Sequence, residues 1–235
     1  MNVLEARNIT KNYGHVIALD NVSLSIPPST IVGLVGPNGS GKTTFVNLAT
    51  GFSNLDSGDL FLKGDRINGR HPHEISRLGI ARTFQETRVF RKMTVIENLL
   101  VASRDRAGSR PTQKARDLLT LVGLAHLERE YSGNLSYGQQ KLLEFARVLM
   151  MDPTLILLDE PTAGIDTILT GELLRCFKML RDQGKTLIIV EHNMAVINAV
   201  CERTVVLHHG RKIAEGTPLE IQQNRIVQDA YLGGA

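Results

Sequence analysis

The chain has 235 residues, with 27 Lys and Arg against 24 Asp and Glu, 42% apolar residues and 5% aromatics. That composition is ordinary for a globular chain, and the length predicts one to two domains whose core needs no metal or disulfide to hold it. A formal net charge of +3 is too small to bind nucleic acid or a membrane surface by bulk electrostatics, so partners must be argued from sites. The longest apolar runs, such as Leu187-Ile188-Ile189-Val190, have four residues, where a spanning helix needs about 20. The N-terminus lacks a basic segment followed by an apolar stretch, so the chain is expected to stay in the cytosol. Cys176 and Cys201 form no CxxC pair and are expected to be free thiols.

In chain order, residues 3–9, 22–26 and 31–35 read as strands, the second closed by Pro27-Pro28. The third is apolar on both faces, as a buried parallel strand should be. It runs into Gly36-Pro37-Asn38-Gly39-Ser40-Gly41-Lys42-Thr43-Thr44, and a helix over 43–50 follows, closed by Gly51. Residues 86–151 differ in texture, with helical patterns at 94–102, 112–121 and 138–151 and no convincing strand, and are expected to form an inserted helical subdomain. Within them the charged stretch 103–111 ends in Pro and reads as a solvated loop. Residues 155–158 and 186–190 return to the doubly apolar strand pattern. The helix between those strands repeats Leu169, Leu173, Phe177 and Leu180 at helical spacing. Strand, helix, strand predicts a parallel α/β core.

The segment from Gly36 to Thr43 fits the P-loop pattern GxxxxGK[ST], and it stands where the mechanism requires, between a buried strand and a helix start. Glycines at 36, 39 and 41 let backbone N–H groups turn inward, and the helix N-terminus adds partial positive charge. Lys42 is expected to reach the β- and γ-phosphates and the Thr43 hydroxyl to ligate Mg²⁺, with Thr44 a further donor. Asp159-Glu160 ends the strand at 155–158. Asp159 is expected to hold Mg²⁺, directly or through water, and Glu160 to orient or deprotonate the attacking water. Such a pair alone is also a common helix N-terminal charge pair, and it gains meaning beside the P-loop. His71, His73, His208 and His209 lack four ligands at zinc spacing and are expected to be solvent-exposed.

Leu135-Ser136-Tyr137-Gly138-Gln139-Gln140, opening a helix upstream of Leu155-Ile156-Leu157-Leu158-Asp159-Glu160-Pro161-Thr162, resembles the nucleotide-binding domain of an ABC transporter. The resemblance covers nearly the whole chain. It implies a P-loop NTPase core with a parallel sheet, an N-terminal antiparallel β subdomain and an inserted α-helical subdomain. One domain would span 1–235, with 1–85 and 152–235 as core plus β subdomain and 86–151 as the helical part. Tyr13 resembles the aromatic that stacks on adenine. Gln85 resembles the glutamine that senses the γ-phosphate and joins Thr43 and Asp159 around Mg²⁺, and His192 matches the switch histidine. Two copies are implied to enclose two ATP molecules, each P-loop facing the other copy's Ser136, Tyr137, Gly138 and Gln139, with Asp166 of the D-loop-like segment 163–166 also crossing over. Ser136 can cap its helix independently of any such role, and Tyr137 departs from the commoner Gly.

Within that family, Ala81-Arg82-Thr83-Phe84-Gln85, residues 93–102 and Ala230-Tyr231-Leu232-Gly233 resemble the ATPases of branched-chain amino-acid importers. Relatives that serve urea or short amides, and the lipopolysaccharide-export ATPase, are similar. The resemblance implies transmembrane permease subunits, a second ATPase copy or paralogue, and a periplasmic or extracellular solute-binding protein indirectly, with no nucleic acid. It places the chain in the cytoplasm, peripheral on the inner face of the membrane. Residues 88–93 mix apolar and basic side chains, a surface suited to the permease. A soluble ABC ATPase of DNA repair or translation would share the site but usually carries a long coiled coil or two fused copies. A purely regulatory nucleotide switch would not need Glu160, Ser136 or His192.

Overall fold

The structure, a computed structural model, describes residues 1–84, 87–103 and 110–232. Gln85 and most of the charged stretch 103–111 lie outside the described residues. Strands β1 (Leu4–Tyr13) and β2 (Val16–Ile26) form a hairpin, followed by β3 (Ile31–Val35), α1 (Lys42–Ala49), β4 (Ser57–Leu62), β5 (Asp65–Arg66), α2 (Pro72–Arg77) and β6 (Ile80–Arg82). Helices α3 (Val95–Val101), α4 (Arg110–Leu121) and α5 (Tyr137–Met150) come next, with no strand among the described residues between them. The chain then runs β7 (Leu155–Asp159), α6 (Thr167–Asp182), β8 (Thr186–Val190), α7 (Met194–Val200), β9 (Arg203–His208), β10 (Arg211–Gly216), α8 (Pro218–Gln223) and α9 (Arg225–Leu232).

Two sheets result. One is antiparallel, in the order β2-β1-β4-β5; the other has the order β10-β9-β3-β8-β7-β6 and is parallel except for its β9–β10 edge. The doubly apolar strands explain the layering. Side chains alternate across a strand, and Ile156, Leu158, Leu187 and Ile189 pack with the helices of residues 95–150, while Leu155, Leu157, Ile188 and Val190 pack with α1 and the antiparallel sheet. Each strand of the parallel sheet thus supplies one side of two cores. Fully burying a Leu or Ile is worth roughly 1.5–3 kcal/mol, so a polar residue in β7 or β8 would cost one of these two layers its contact.

Helix starts agree with their local chemistry. Thr94, Ser136 and Thr217 each cap a helix through a capping box closed by Glu97, Gln139 and Glu220. Asp166 caps α6, its Oδ1 accepting from the N–H groups of Ile168 and Leu169 at 2.9 Å. The Phe145 and Phe177 rings meet edge-on at 5.4 Å between centroids, which ties α5 to α6 with about 0.5–1.5 kcal/mol beyond area burial. The strand from 3–9 continues to Tyr13, and its partner begins at Val16 rather than Val22.

Candidate active site

The parallel register lines up the residues singled out in the sequence. Asp159 of β7 lies opposite Val190 of β8, and Val190 lies opposite Leu34 of β3. Adjacent strands are about 4.8 Å apart, so the P-loop and the Asp159-Glu160 pair leave the same sheet edge two strands apart, with His192 just past the strand between them. This is the carboxyl end of a parallel sheet, where α/β folds hold ligands. A cleft of about 510 Å³ opens there, lined by Val16, Ala18, residues 38–44, Asp159, Glu160 and Val190.

The loop needs its glycines for two different reasons. At Gly36, with φ 150°, a Cβ would lie 2.1 Å from the Leu207 carbonyl oxygen, and at Gly41, with φ 104°, one would lie 2.5 Å from that of Ala18. Gly39, at φ 77°, has open space around it, so its requirement is conformational alone. Gly41 also precedes α1 without supplying a side-chain cap, which leaves first-turn N–H groups for an anion. Lys42 folds its ammonium over the loop, donating to the carbonyls of Gly36 at 2.7 Å and Pro37 at 2.8 Å. Burial lowers its pKa, and Glu160 and Asp159 oppose that shift.

Asp159 is buried, and its N–H donates to the Thr83 hydroxyl at 3.3 Å. Burial pushes its carboxyl pKa up, Arg82 and Lys42 pull it down, and Glu160 and Glu191 push it up again. A carboxylate with incomplete counter-charge suits a divalent cation, which magnesium sites satisfy with one or two carboxylates plus substrate phosphates. No cluster of three or more His, Cys, Asp or Glu able to hold a metal occurs among the described residues. Glu160 has a left-handed backbone at φ 47°, and its Oε1 lies 3.5 Å from His192 Nδ1. The acid expected to act on water and the expected switch histidine are therefore neighbours.

The start of α5 is built as a cap. Ser136 Oγ accepts from the Gln139 N–H at 3.2 Å and Gln139 Oε1 accepts from the Ser136 N–H at 2.9 Å, while the hydroxyl keeps its own proton to donate. Gly138 packs closely, since a Cβ there would come within 2.8 Å of the Leu169 side-chain end and 3.3 Å of Ile165, which would have to shift to admit it. Tyr137 is half-exposed and its ring leans on Gly164, where a Cβ would stand 2.9 Å from it. Tyr13 ends β1, half-exposed, and shares a hydrogen bond of 3.0 Å with the Ser53 hydroxyl. It does not line the cleft, whereas its hairpin partner Val16 does. His71, His73 and His209 are exposed as expected, but His208 is half-buried beside the P-loop.

The sequence reading passed over several polar residues that the fold brings to this edge. Glu191 is buried and accepts from the Thr162 N–H at 3.1 Å and hydroxyl at 2.6 Å. Arg82 donates to Asn47 of α1 at 2.7 Å and its guanidinium lies over both the Phe52 and Phe84 rings, 5.2 and 4.7 Å from their centres. Glu144 of α5 accepts from the Phe84 N–H at 3.3 Å, and Arg147 of α5 donates to the Arg88 carbonyl. Glu144 and Arg147 carry one sequence signal, a charged residue recurring at a step of three in the otherwise apolar stretch 142–150 of α5.

A two-sheet α/β fold carrying a P-loop, a buried Asp, a strand-end Glu and a neighbouring His defines the chain as a P-loop ATPase. Residues 19–163 match the family described as ABC transporter, and residues 211–235 match that described as branched-chain amino acid ATP-binding cassette transporter. The chain is 38% identical to the probable branched-chain amino acid transport ATP-binding protein LivG of Archaeoglobus fulgidus, over 99% of this chain and 96% of that protein. It is 37% identical to the high-affinity branched-chain amino acid transport ATP-binding protein LivG of Escherichia coli K12, over 99% and 98%. The lipopolysaccharide export system ATP-binding protein LptB of that strain is 36% identical, also over 99% and 98%. Among solved structures, the ADP conformation of the ABC transporter cassette MJ1267 superposes with a TM-score of 0.91 at 32% identity, covering 99% of both chains. The dimeric post-hydrolysis state of the cassette MJ0796, bound to ADP and Pi, gives 0.82 at 27% identity, covering 92% of this chain and 98% of that one. The chain belongs to the ABC transporter family, as an ATP-binding cassette whose ATPase activity is coupled to transport.

Proposed function

We propose that this chain powers import of branched-chain amino acids, with two ATP molecules closing two cassettes against each other beneath a pair of permease subunits. The observation that carries the ATPase half is the row formed by the P-loop, Val190 and Asp159 at one sheet edge, with Glu160 and His192 3.5 Å apart beside it. The cargo rests on the match of residues 211–235 and on what the LivG relatives are named for. A permease-bound cassette would lie against the inner face of the membrane. No helix among the described residues is long and apolar enough to cross a membrane.

In this reading the amides of residues 38–44 and Lys42 bind the phosphates, and Tyr13 stacks on the adenine. Thr43, Asp159 and Gln85 would hold Mg²⁺, which neutralises charge between the β- and γ-phosphates when bound. Glu160 orients the attacking water and accepts its proton, and His192 donates to the γ-phosphate. Ser136, Tyr137, Gly138, Gln139 and Asp166 act on the nucleotide of the opposite cassette. Residues 86–151 form a helical part that turns against a core of 1–85 and 152–235. Their exposed Phe90 and Arg91 meet the permease, on a backbone pinned by Asn98 and Ser132, which bond the Phe90 carbonyl at 3.2 and 2.8 Å.

The test is affinity purification of the tagged chain from its own cells in mild detergent, followed by mass spectrometry and by uptake of labelled leucine with and without the chain. Polytopic permeases, a second cassette and chain-dependent leucine uptake support the proposal. Lipopolysaccharide-export partners, or only soluble partners with nucleic acid among them, overturn it.

A further inference from the structure

Glu160 holds a backbone conformation that its sequence disfavours. It has φ 47°, a region that side chains other than Gly, Asn and Asp rarely visit, and it precedes Pro161, which biases a residue toward extended backbone. Tertiary bonds impose the conformation from both sides. The Glu160 N–H donates to the Val190 carbonyl of β8 at 2.9 Å. The Glu160 carbonyl accepts from Lys141 Nζ of α5 at 2.8 Å. The same carbonyl accepts from the Ala163 N–H at 3.2 Å, which closes the turn after Glu160, and Lys141 adds a side-chain hold to that backbone bond.

Lys141 is a buried cation, 8% exposed, in the second turn of the helix that Ser136 opens. Its ammonium lies 5.5 Å from the centre of the Tyr137 ring, and that ring leans on Gly164, four residues beyond Glu160. Burial lowers the Lys141 pKa, while Glu191, Glu144, Glu160 and Asp159 raise it. One side chain therefore joins the helix start that faces the other copy's nucleotide to the acid serving its own.

We propose that Lys141 is a positioning residue for ATP hydrolysis, holding the Glu160 carbonyl so that the Glu160 carboxylate faces the attacking water. The proposal rests on the reading of Glu160 as the acid that acts on water. Its test is steady-state ATP turnover by Lys141→Met, Lys141→Gln and Lys141→Arg in the whole chain, with Glu160→Gln and the double variant Lys141→Met/Glu160→Gln measured alongside. Lys141→Met is expected to lose at least tenfold in kcat with KM for ATP within twofold of the parent. Lys141→Gln and Lys141→Arg, which keep a donor, recover most of that loss. The double variant turns over no more slowly than Glu160→Gln alone, because removing the guide of an absent carboxylate costs nothing further. A residue that served packing alone would lower Tm in all three single variants and leave kcat per folded molecule unchanged. Parental kcat in Lys141→Met beside an inactive Glu160→Gln overturns the proposal, whereas parental kcat in Glu160→Gln overturns the reading beneath it.

Discussion

Ser136 is asked to do two things, and two substitutions separate them. Its oxygen closes the capping box with Gln139, so Ser136→Ala should cost about 1 kcal/mol, roughly 2–4 °C in Tm for a chain of this size. Ser136→Asp keeps an acceptor at the cap and places negative charge at a helix N-terminus, so Tm should stay at the parental value. It also sets a carboxylate against the opposite copy's phosphates. At about 4 Å and an effective dielectric of about 20, two unit charges repel by about 4 kcal/mol, which is on the order of a thousandfold in closure of the pair. Thermal melts and steady-state ATP turnover read the two effects apart. The expected pattern is lowered Tm with reduced turnover for Ser136→Ala, and parental Tm with background turnover for Ser136→Asp. Parental turnover in Ser136→Asp would refute the placement of Ser136 against a phosphate, and an unchanged Tm in Ser136→Ala would refute the cap.

Other consequences follow from the same geometry. Gly36→Ala drives a methyl to 2.1 Å from the Leu207 carbonyl, so it should lower Tm and abolish nucleotide binding by equilibrium dialysis, while an Ala that melts and binds as the parent would contradict the loop geometry. Burial pushes the Cys176 thiol up to about 11 and the Cys201 thiol up to about 12, from 9.0. Between about pH 9 and those values the native chain holds protons that the unfolded chain has released, so these groups should make stability fall as pH rises through that window. Neither thiol should react with iodoacetamide at neutral pH until the chain unfolds, as read by mass spectrometry. Phe90→Ala combined with Arg91→Glu should leave ATP turnover of the isolated chain near parental and uncouple solute uptake. Undiminished uptake would remove residues 88–93 from the permease contact.

The nucleotide loop was legible because its chemistry is local: glycines in sequence order, a Lys and a Thr, between a strand buried on both faces and a helix. The central strands were legible for the same reason, since Leu155, Ile156, Leu157 and Leu158 need two apolar layers and nothing else satisfies them. Strands β4 and β10 were not, because SGDLFL and RKIAEG lie toward sheet margins where polar residues face water and the apolar signal thins out. Gly138 is implied by the family resemblance to face the other copy, and its close packing on Leu169 and Ile165 is a contact that only the fold brings near. Asp166 was read for its role toward the other copy, and its carboxylate is also the cap of α6. Lys141 and Glu191 were invisible because their partners, Glu160 and Thr162, come from other elements.

The central claim is that Glu160 drives hydrolysis in a nucleotide sandwich made by two cassettes. Analytical ultracentrifugation of Glu160→Gln with MgATP, beside steady-state turnover and with Lys42→Ala as the non-binding comparison, tests it most directly. The account expects Glu160→Gln to bind ATP, sediment as a dimer and lose most turnover, while Lys42→Ala stays monomeric with weakened binding. A Glu160→Gln chain that remains monomeric with ATP bound, or that hydrolyses ATP at the parental rate, would contradict it.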